Sequence, residues 1–405
     1  MTNLRKDFLD HQAQTSSFPL MIEVASAKGS YVYDVHGKAY LDFIAGVSAN
    51  SLGHNHPEVT KAIKDQVDRY AHVMVYGEFI QQPQTELCKI LASLLPQKLN
   101  SVYLVNSGTE AAEGAMKLAK RVTKRSEMVA AKFAYHGNTQ GAMSVSGAET
   151  QNRAFRPIIP GTTFIEYNDV DDLSKITTET AAVILETIQG GAGFIVSQNN
   201  YLKKVRKRCD DVGALLILDE IQSGIGRTGT FFGFEHYDCI PDIIITGKGL
   251  GGGMPIGAFI SSEDNMSLLK ENPVLGHVTT FGGHPVIAAA ALATVKEITQ
   301  TNLMQEALRK EQLIKRSLQH EEIKEIRGKG LMLALMMEDA FMASEVVLKC
   351  MDEGLLLFFL LFEKRAVRIS PPLTISDEEI EIGCAKILKV LDRIGSSKNS
   401  DNRLN

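Results

Sequence analysis

No apolar run in this sequence is long enough to cross a bilayer, which takes about 20 residues of helix. The longest, Gly354 to Phe362, falls far short and reads as a buried strand. A basic excess is missing too. Forty-three Lys and Arg against 48 Asp and Glu leave a formal charge of −5, with no surplus cation to neutralise phosphates, so a nucleic-acid partner is not expected. The local run Lys203-Lys204 with Arg206-Lys207-Arg208 alternates with Tyr201, Leu202 and Val205, the pattern of a solvated helix face. Cys88, Cys209, Cys239, Cys350 and Cys384 are scattered without CxxC spacing. They read as reduced core thiols of a cytoplasmic protein, not as a disulfide frame or metal site. Met1 to Gln14 is polar and of mixed charge, so it is not expected to be a signal peptide. Internal repeats and low-complexity segments are also lacking.

What is present is ordinary globular composition, 44% hydrophobic and 22% charged over 405 residues. That length suggests about two domains. Gly29 to Phe43 has a hairpin pattern around Asp34-Val35-His36-Gly37. Strand-like and helix-like segments then alternate. Strands are expected at 101–105, 128–131, 162–165, 181–185, 214–218 and 241–245, and helices at 109–122 and 200–212. Such alternation implies an α/β layer with a mostly parallel sheet. After an Ala-rich helix from Pro285 to about Thr299 the rhythm changes, and strands at 331–337, 355–359 and 366–369 mix with helices. The expected division is 1–60 packing with a small domain, 61–300 as a large domain, 301–395 as the small α+β domain, and 396–405 as a disordered tail.

Two of the apolar runs end in ionisable residues. Leu215-Leu216-Ile217-Leu218 ends at Asp219, and Ile243-Ile244-Ile245 leads to Lys248 within Thr246-Gly247-Lys248-Gly249. Carboxyl ends of strands are where open α/β sheets bind ligands. An amine and a carboxylate delivered there are what a pyridoxal phosphate enzyme needs, the amine to bond the cofactor aldehyde and the carboxylate to hold the pyridine nitrogen protonated. Each alone has a plainer reading: a helix cap for Asp219, an exposed loop residue for Lys248. A nucleotide loop does not fit, because Gly249 stands where GxxxxGK[ST] needs a hydroxyl.

Other segments add to this pair. Ser107-Gly108-Thr109-Glu110 follows a strand and opens a helix, offering amides to a phosphate or serving only as a capping box. Tyr135 can stack on a flat ring or sit in the core. Gln222 is placed to bond a phenolic oxygen, and Ile221 to pack on a ring. His54-Asn55-His56-Pro57 reads as a turn before a helix, not a metal site. Arg368, before Pro371-Pro372, suits a carboxylate, with a surface ion pair as the alternative.

Taken together these segments resemble a class III (subgroup II) aminotransferase of fold type I, in the acetylornithine/ornithine branch. The resemblance runs from Tyr33-Asp34 to Pro371-Pro372. It includes Ser107-Gly-Thr-Glu-Ala111, Glu186-Thr-Ile-Gln-Gly190, Leu218-Asp-Glu-Ile-Gln222, Gly226-Arg-Thr-Gly229 and Thr279-Thr-Phe-Gly-Gly283. It implies a large domain with a mostly parallel seven-stranded sheet, a smaller α+β domain, and a ping-pong reaction between amino and keto acids, with 2-oxoglutarate the usual acceptor. Lys248 would be the cofactor lysine and proton shuttle, and Asp219 the partner of the pyridine nitrogen. Ser107, Gly108 and Thr109 would hold the phosphate, with Thr280 reaching it from a neighbouring subunit of a homodimer. Tyr135, Ile221 and Gln222 would contact the ring, while Arg368, Asn138, Thr279 and Glu186 would meet substrate. Two positions depart from the family pattern: Asn138 replaces the arginine of Phe-His-Gly-Arg-Thr, and Gly191 the glutamate of Gln-Gly-Glu. Related enzymes of ω-amino acids, diamines or semialdehydes share the cofactor motifs, and a silent cofactor-binding protein is the reading outside enzymes.

Overall fold

The computed structural model describes residues 3–401, with only the backbone for 397–401. After a helix at Asn3–His11 come three strands: β1 (Val24–Lys28), β2 (Tyr31–Asp34) and β3 (Ala39–Asp42). The large sheet follows, from β4 (Ser101–Val105), β5 (Glu127–Ala131), β6 (Thr162–Ile165), β7 (Thr180–Glu186), β8 (Leu215–Asp219), β9 (Ile243–Gly247) and β10 (Gly257–Ser261). Its order is β4-β10-β9-β8-β7-β5-β6. β10 pairs antiparallel with both neighbours, and the remaining ladders are parallel. Every residue of β7 is buried, as expected for a central strand covered by helices on both faces.

The helix Gly108–Thr123 shows how tightly that cover fits. Ala111, Ala112, Ala115 and Ala119 are fully buried along one face. A Cβ at Gly114 would lie 2.5 Å from the Phe259 ring of β10, so only glycine lets helix and sheet approach this closely.

A second sheet comprises β11 (Glu325–Lys329), β12 (Met332–Met336), β14 (Phe358–Phe359) and β15 (Ala366–Ile369), in the order β11-β12-β15-β14. The single buried strand expected at Gly354–Phe362 is instead two short ones. β13 (Leu355–Leu356) extends the N-terminal sheet, parallel to β3, and β14 joins the C-terminal sheet. The chain crosses from one sheet to the other at Leu357, so the apolar run serves two cores and leaves Phe358 and Leu361 partly exposed. The last helix is Asp377–Asp401. The tail expected from 396 onward falls partly in this helix and partly outside the described residues. No helix among the described residues is long and apolar enough to cross a membrane.

Candidate active site

The carboxyl ends of the parallel strands converge on one cavity of about 420 Å³. Register sets its floor. Asp219, the last residue of β8, pairs with Glu186 at the end of β7 and with Ile245 in β9. Three residues beyond Ile245 the chain turns at Lys248, which has φ +41° and begins the short 3-10 turn Lys248–Gly251. Crowding explains the glycine that follows it: a Cβ at Gly249 would lie 2.3 Å from Ser51 Oγ. Burial lowers the Lys248 ammonium pKa; nearby Asp219 and Glu186 oppose the shift, and Arg368 adds to it.

Asp219 is held at both oxygens. Oδ1 accepts from the Ile221 amide at 2.9 Å, and Oδ2 from His136 Nδ1 at 2.7 Å. The first bond is the capping geometry that the plainer reading foresaw, but a turn follows here instead of a helix. His136, 1% exposed, was not among the expected site residues. Its only signal was its place beside Tyr135 after a strand.

Glu186 accepts from the Gly190 amide at 2.8 Å and the Tyr135 amide at 3.2 Å. Burial nevertheless pushes its carboxyl up to about 7; neighbouring Asp219 adds to the rise, and His136 and the two amides oppose it. Tyr135 lies partly exposed at the cavity, and burial raises its phenol pKa.

At the start of the helix Gly108–Thr123, Ser107 Oγ accepts from the Glu110 amide at 3.4 Å. The capping box is displaced by one residue, because the Glu110 carboxylate accepts from Asn106 N and Nδ2, not from Ser107 N. Gly108 and Thr109 line the cavity, and Ser107 stands behind them as the cap. Ile221 packs against Gly108, whose Cβ would lie 2.7 Å from Ile221 Cδ1.

The turn Ala45–Ser48 was not anticipated. Ala45, Gly46, Val47 and Ser48 all have positive φ, from 48° to 67°. Such backbone is strained for residues other than glycine and persists where surroundings enforce it. Asp42 does so, with Oδ1 accepting from the Ile44 and Ala45 amides at 2.7 and 3.0 Å and Oδ2 bonded to His54 Nε2 at 2.7 Å. The turn brings Val47 to the cavity wall and sets Ser48 Oγ 3.5 Å from Gln222 Nε2.

Arg368 enters from β15, 4% exposed, with its guanidinium 5.4 Å from the centre of the Phe194 ring. Nε and Nη1 are buried without acceptors among the described residues. Burial pushes its pKa down to about 10. Asn138 lies exposed at the rim. Thr279 and Thr280 are not in the cavity lining. Thr279 Oγ1 accepts from Gly282 N and Asn106 Nδ2, and Thr280 is exposed.

The donor set fits pyridoxal phosphate: amides at a helix start for a phosphate, a carboxylate fixed by N–H donors for a cationic ring nitrogen, and a lysine of lowered pKa for an aldehyde. Among the described residues, no cluster suits a metal ion.

The family model for "Aminotransferase class-III" matches residues 12–391. The acetylornithine aminotransferase of Caldanaerobacter subterraneus is 38% identical, over 93% of this chain and 95% of its own. The putrescine aminotransferase of Pectobacterium atrosepticum is 37% identical, over 95% of this chain and 85% of its own. Among solved structures, the ornithine aminotransferase of Toxoplasma gondii, described with partial occupancy of PLP at its active site, superposes with a TM-score of 0.90. It is 31% identical, over 98% of this chain and 96% of that one.

Proposed function

We propose that this chain, which belongs to the class-III aminotransferases, moves an amino group from a donor of acetylornithine type to a 2-oxo acid, with Lys248 carrying the proton. Its cofactor is pyridoxal 5′-phosphate, which supplies an aldehyde for the amine and a ring that draws electrons from the adjacent carbon. The Gly108 and Thr109 amides, with Ser107 as cap, would hold the phosphate. Tyr135 and Ile221 would flank the ring, Gln222 would bond its oxygen, and Asp219 would keep its nitrogen protonated. Lys248 Nζ is the amine that would bind the aldehyde. As a free amine it would take up the proton from the substrate carbon that bears nitrogen and give it back to complete the transfer. The lowered pKa supports this role, because a neutral amine is the competent base.

Arg368 receives a carboxylate, with Glu186 and Asn138 beside the substrate path. Thr280, exposed and away from its own cavity, serves the phosphate of a neighbouring subunit in a homodimer. The exposed apolar side chains Tyr76, Phe79, Ile80 and Phe281 support such an interface. The region 61–300 acts as the cofactor-binding domain, with 301–395 and the N-terminal strands packed as the smaller one. Five free thiols agree with a reduced, cytoplasmic setting.

The observation that carries this reading is the placement of Lys248 and Asp219 beyond neighbouring parallel strands in one cavity. Lys248→Ala should abolish turnover while the protein stays folded. Full turnover in that variant would sink the assignment. Asn138, a neutral residue at the rim, favours a second reading in which the donor is a diamine or ω-amino compound. Conversion of the bound cofactor by a panel of amines decides between them.

A further inference from the structure

Thr139 stands at the N-cap of the short helix Gln140–Ser144, yet its side chain does not cap that helix. A threonine there ordinarily accepts from an amide two or three residues on. Here the amide three residues on, of Ala142, donates instead to Glu113 Oε1 at 3.0 Å. Glu113 belongs to the neighbouring helix Gly108–Thr123. The Thr139 hydroxyl is released to bridge the two helices. It bonds Glu113 Oε1 and, at 2.8 Å, Thr109 Oγ1, which also accepts from the Thr139 amide at 3.3 Å.

Chemistry orders the donors. A carboxylate only accepts and a hydroxyl has a single hydrogen, so Thr139 donates to Glu113 and Thr109 donates to Thr139. Space around this relay is closed. A Cβ on Gly141 would lie 2.1 Å from Glu113 Oε2, and one on Gly137, at φ +136°, would lie 2.2 Å from Thr109 Oγ1. The relay runs behind the cavity: neither Glu113 nor Thr139 lines it, whereas Thr109, Tyr135, His136, Gly137 and Asn138 do. The near end of that loop is fixed by Glu186 at the Tyr135 amide, by Ser146 at the His136 amide and by Asp219 at the imidazole. Its far end is fixed through Thr139.

We propose that Glu113 is a positioning residue for the cofactor. Acting through Thr139 and Thr109, it fastens the loop that carries Tyr135 and His136 to the helix whose first amides make the phosphate site. A rigid, flat ligand meets a stacking ring and a phosphate site together only when the spacing between them is fixed. Glu113 sets that spacing from outside the cavity, without touching the ligand. This rests on the pyridoxal phosphate assignment above, and its test separates the two.

The experiment titrates apoenzyme variants with pyridoxal phosphate, each well below its thermal midpoint. Glu113→Ala should raise the dissociation constant at least about tenfold, the loss expected when a bond to a charged group is removed. Glu113→Gln should stay within about threefold of wild type, because its carbonyl oxygen still accepts from Thr139 and Ala142. Thr139→Val should match Glu113→Ala, and the double variant should be no more than about threefold worse than either, since both break one relay. At saturating cofactor the KM for an amino donor should stay within about threefold of wild type in every variant. A KM that rises in step with the dissociation constant would mean general loosening of the fold, and overturns the proposal. So do unchanged cofactor affinity in Glu113→Ala, glutamine no better than alanine, or losses that multiply in the double variant. If Glu113→Ala does not fold, Thr139→Val carries the same test, and unchanged affinity there overturns the proposal. Deuterium exchange of residues 135–144 in the apoenzyme needs no cofactor. It should be at least about tenfold faster in Thr139→Val than in wild type, and an equal rate overturns the proposal. If the wild type takes up no pyridoxal phosphate, the aminotransferase reading fails, while exchange still decides whether the relay holds the loop.

Discussion

His136 donates from Nδ1 to Asp219 Oδ2 across 2.7 Å, in a spot where both side chains are almost wholly buried. A carboxylate can only accept, so Nδ1 is the protonated nitrogen, and Nε2 is buried without a partner among the described residues. The imidazole therefore orients Asp219 through one bond while the Ile221 amide fixes the other oxygen. A hydrogen bond to a charged group contributes about 1.5–3 kcal/mol. His136→Ala is expected to weaken cofactor retention and turnover by roughly 10- to 100-fold. Spectroscopic titration of the apoenzyme with pyridoxal phosphate checks the first and steady-state rates the second. Unaltered affinity together with an unaltered pH profile would show that His136 is only filling space.

The sequence made Asp219 and Lys248 legible because each follows an aliphatic run, and a charge at the end of a buried strand is chemically conspicuous. His136 was hidden by its neighbour Tyr135, whose ring suggested the more obvious role. β10 escaped notice because Gly257-Ala-Phe-Ile-Ser261 is short and begins with glycine, although it carries the Phe259 ring against Gly114. Nothing in Ala45-Gly-Val-Ser48 announces a left-handed turn, since that conformation is imposed from outside by Asp42 and His54. Local pattern could not divide the apolar run at Leu357 either, because the cause is that two sheets compete for it.

Glu186 gives the apoenzyme a pH-dependent stability of defined sign. Its carboxyl is pushed from 4.5 to about 7 in the folded chain, chiefly by burial. Between those values the native state holds a proton that the unfolded chain has released, so this contribution falls as pH rises from about 4.5 to about 7 and is constant above. The loss amounts to roughly 3 kcal/mol. Urea unfolding of the apoenzyme at several pH values should show that Glu186→Gln flattens the slope. An equal slope in the variant would assign the effect to another group.

Gly108 sits where a side chain would press on Ile221, with Cδ1 2.7 Å and Cγ2 3.1 Å from the added Cβ. Ile221 lines the cavity and can move only by encroaching on it or shifting its turn. Gly108→Ala should therefore raise the pyridoxal phosphate dissociation constant about tenfold, while the apoenzyme loses less than about 1.5 kcal/mol, because a helix start tolerates alanine and the obstacle is a flexible chain end. Equal losses in affinity and stability would mean that the helix itself had moved.

Glu220, next to Asp219, has a structural part to play with no access to the cavity. It is fully buried, and burial pushes its carboxyl up to about 7 against the four bonds that favour the anion. Oε1 accepts from Thr187 Oγ1 at 2.6 Å and Phe234 N at 2.7 Å. Oε2 accepts from Ser223 Oγ at 2.7 Å and Gly233 N at 2.8 Å. These bonds tie the ends of β7 and β8 to the segment around residues 233–234. In Glu220→Gln one oxygen becomes an NH2 group facing a backbone N–H that cannot reverse its polarity, whereas a hydroxyl can rotate. One buried donor is left unsatisfied and another is opposed, a loss of about 2–4 kcal/mol. Thermal unfolding of the apoenzyme should report this loss. Reaction of the folded fraction with cofactor should stay within about threefold of wild type, because Asp219 is held by His136 and Ile221 independently of Glu220. A variant that stays as stable as wild type but binds cofactor poorly would place Glu220 in the site and not in its support.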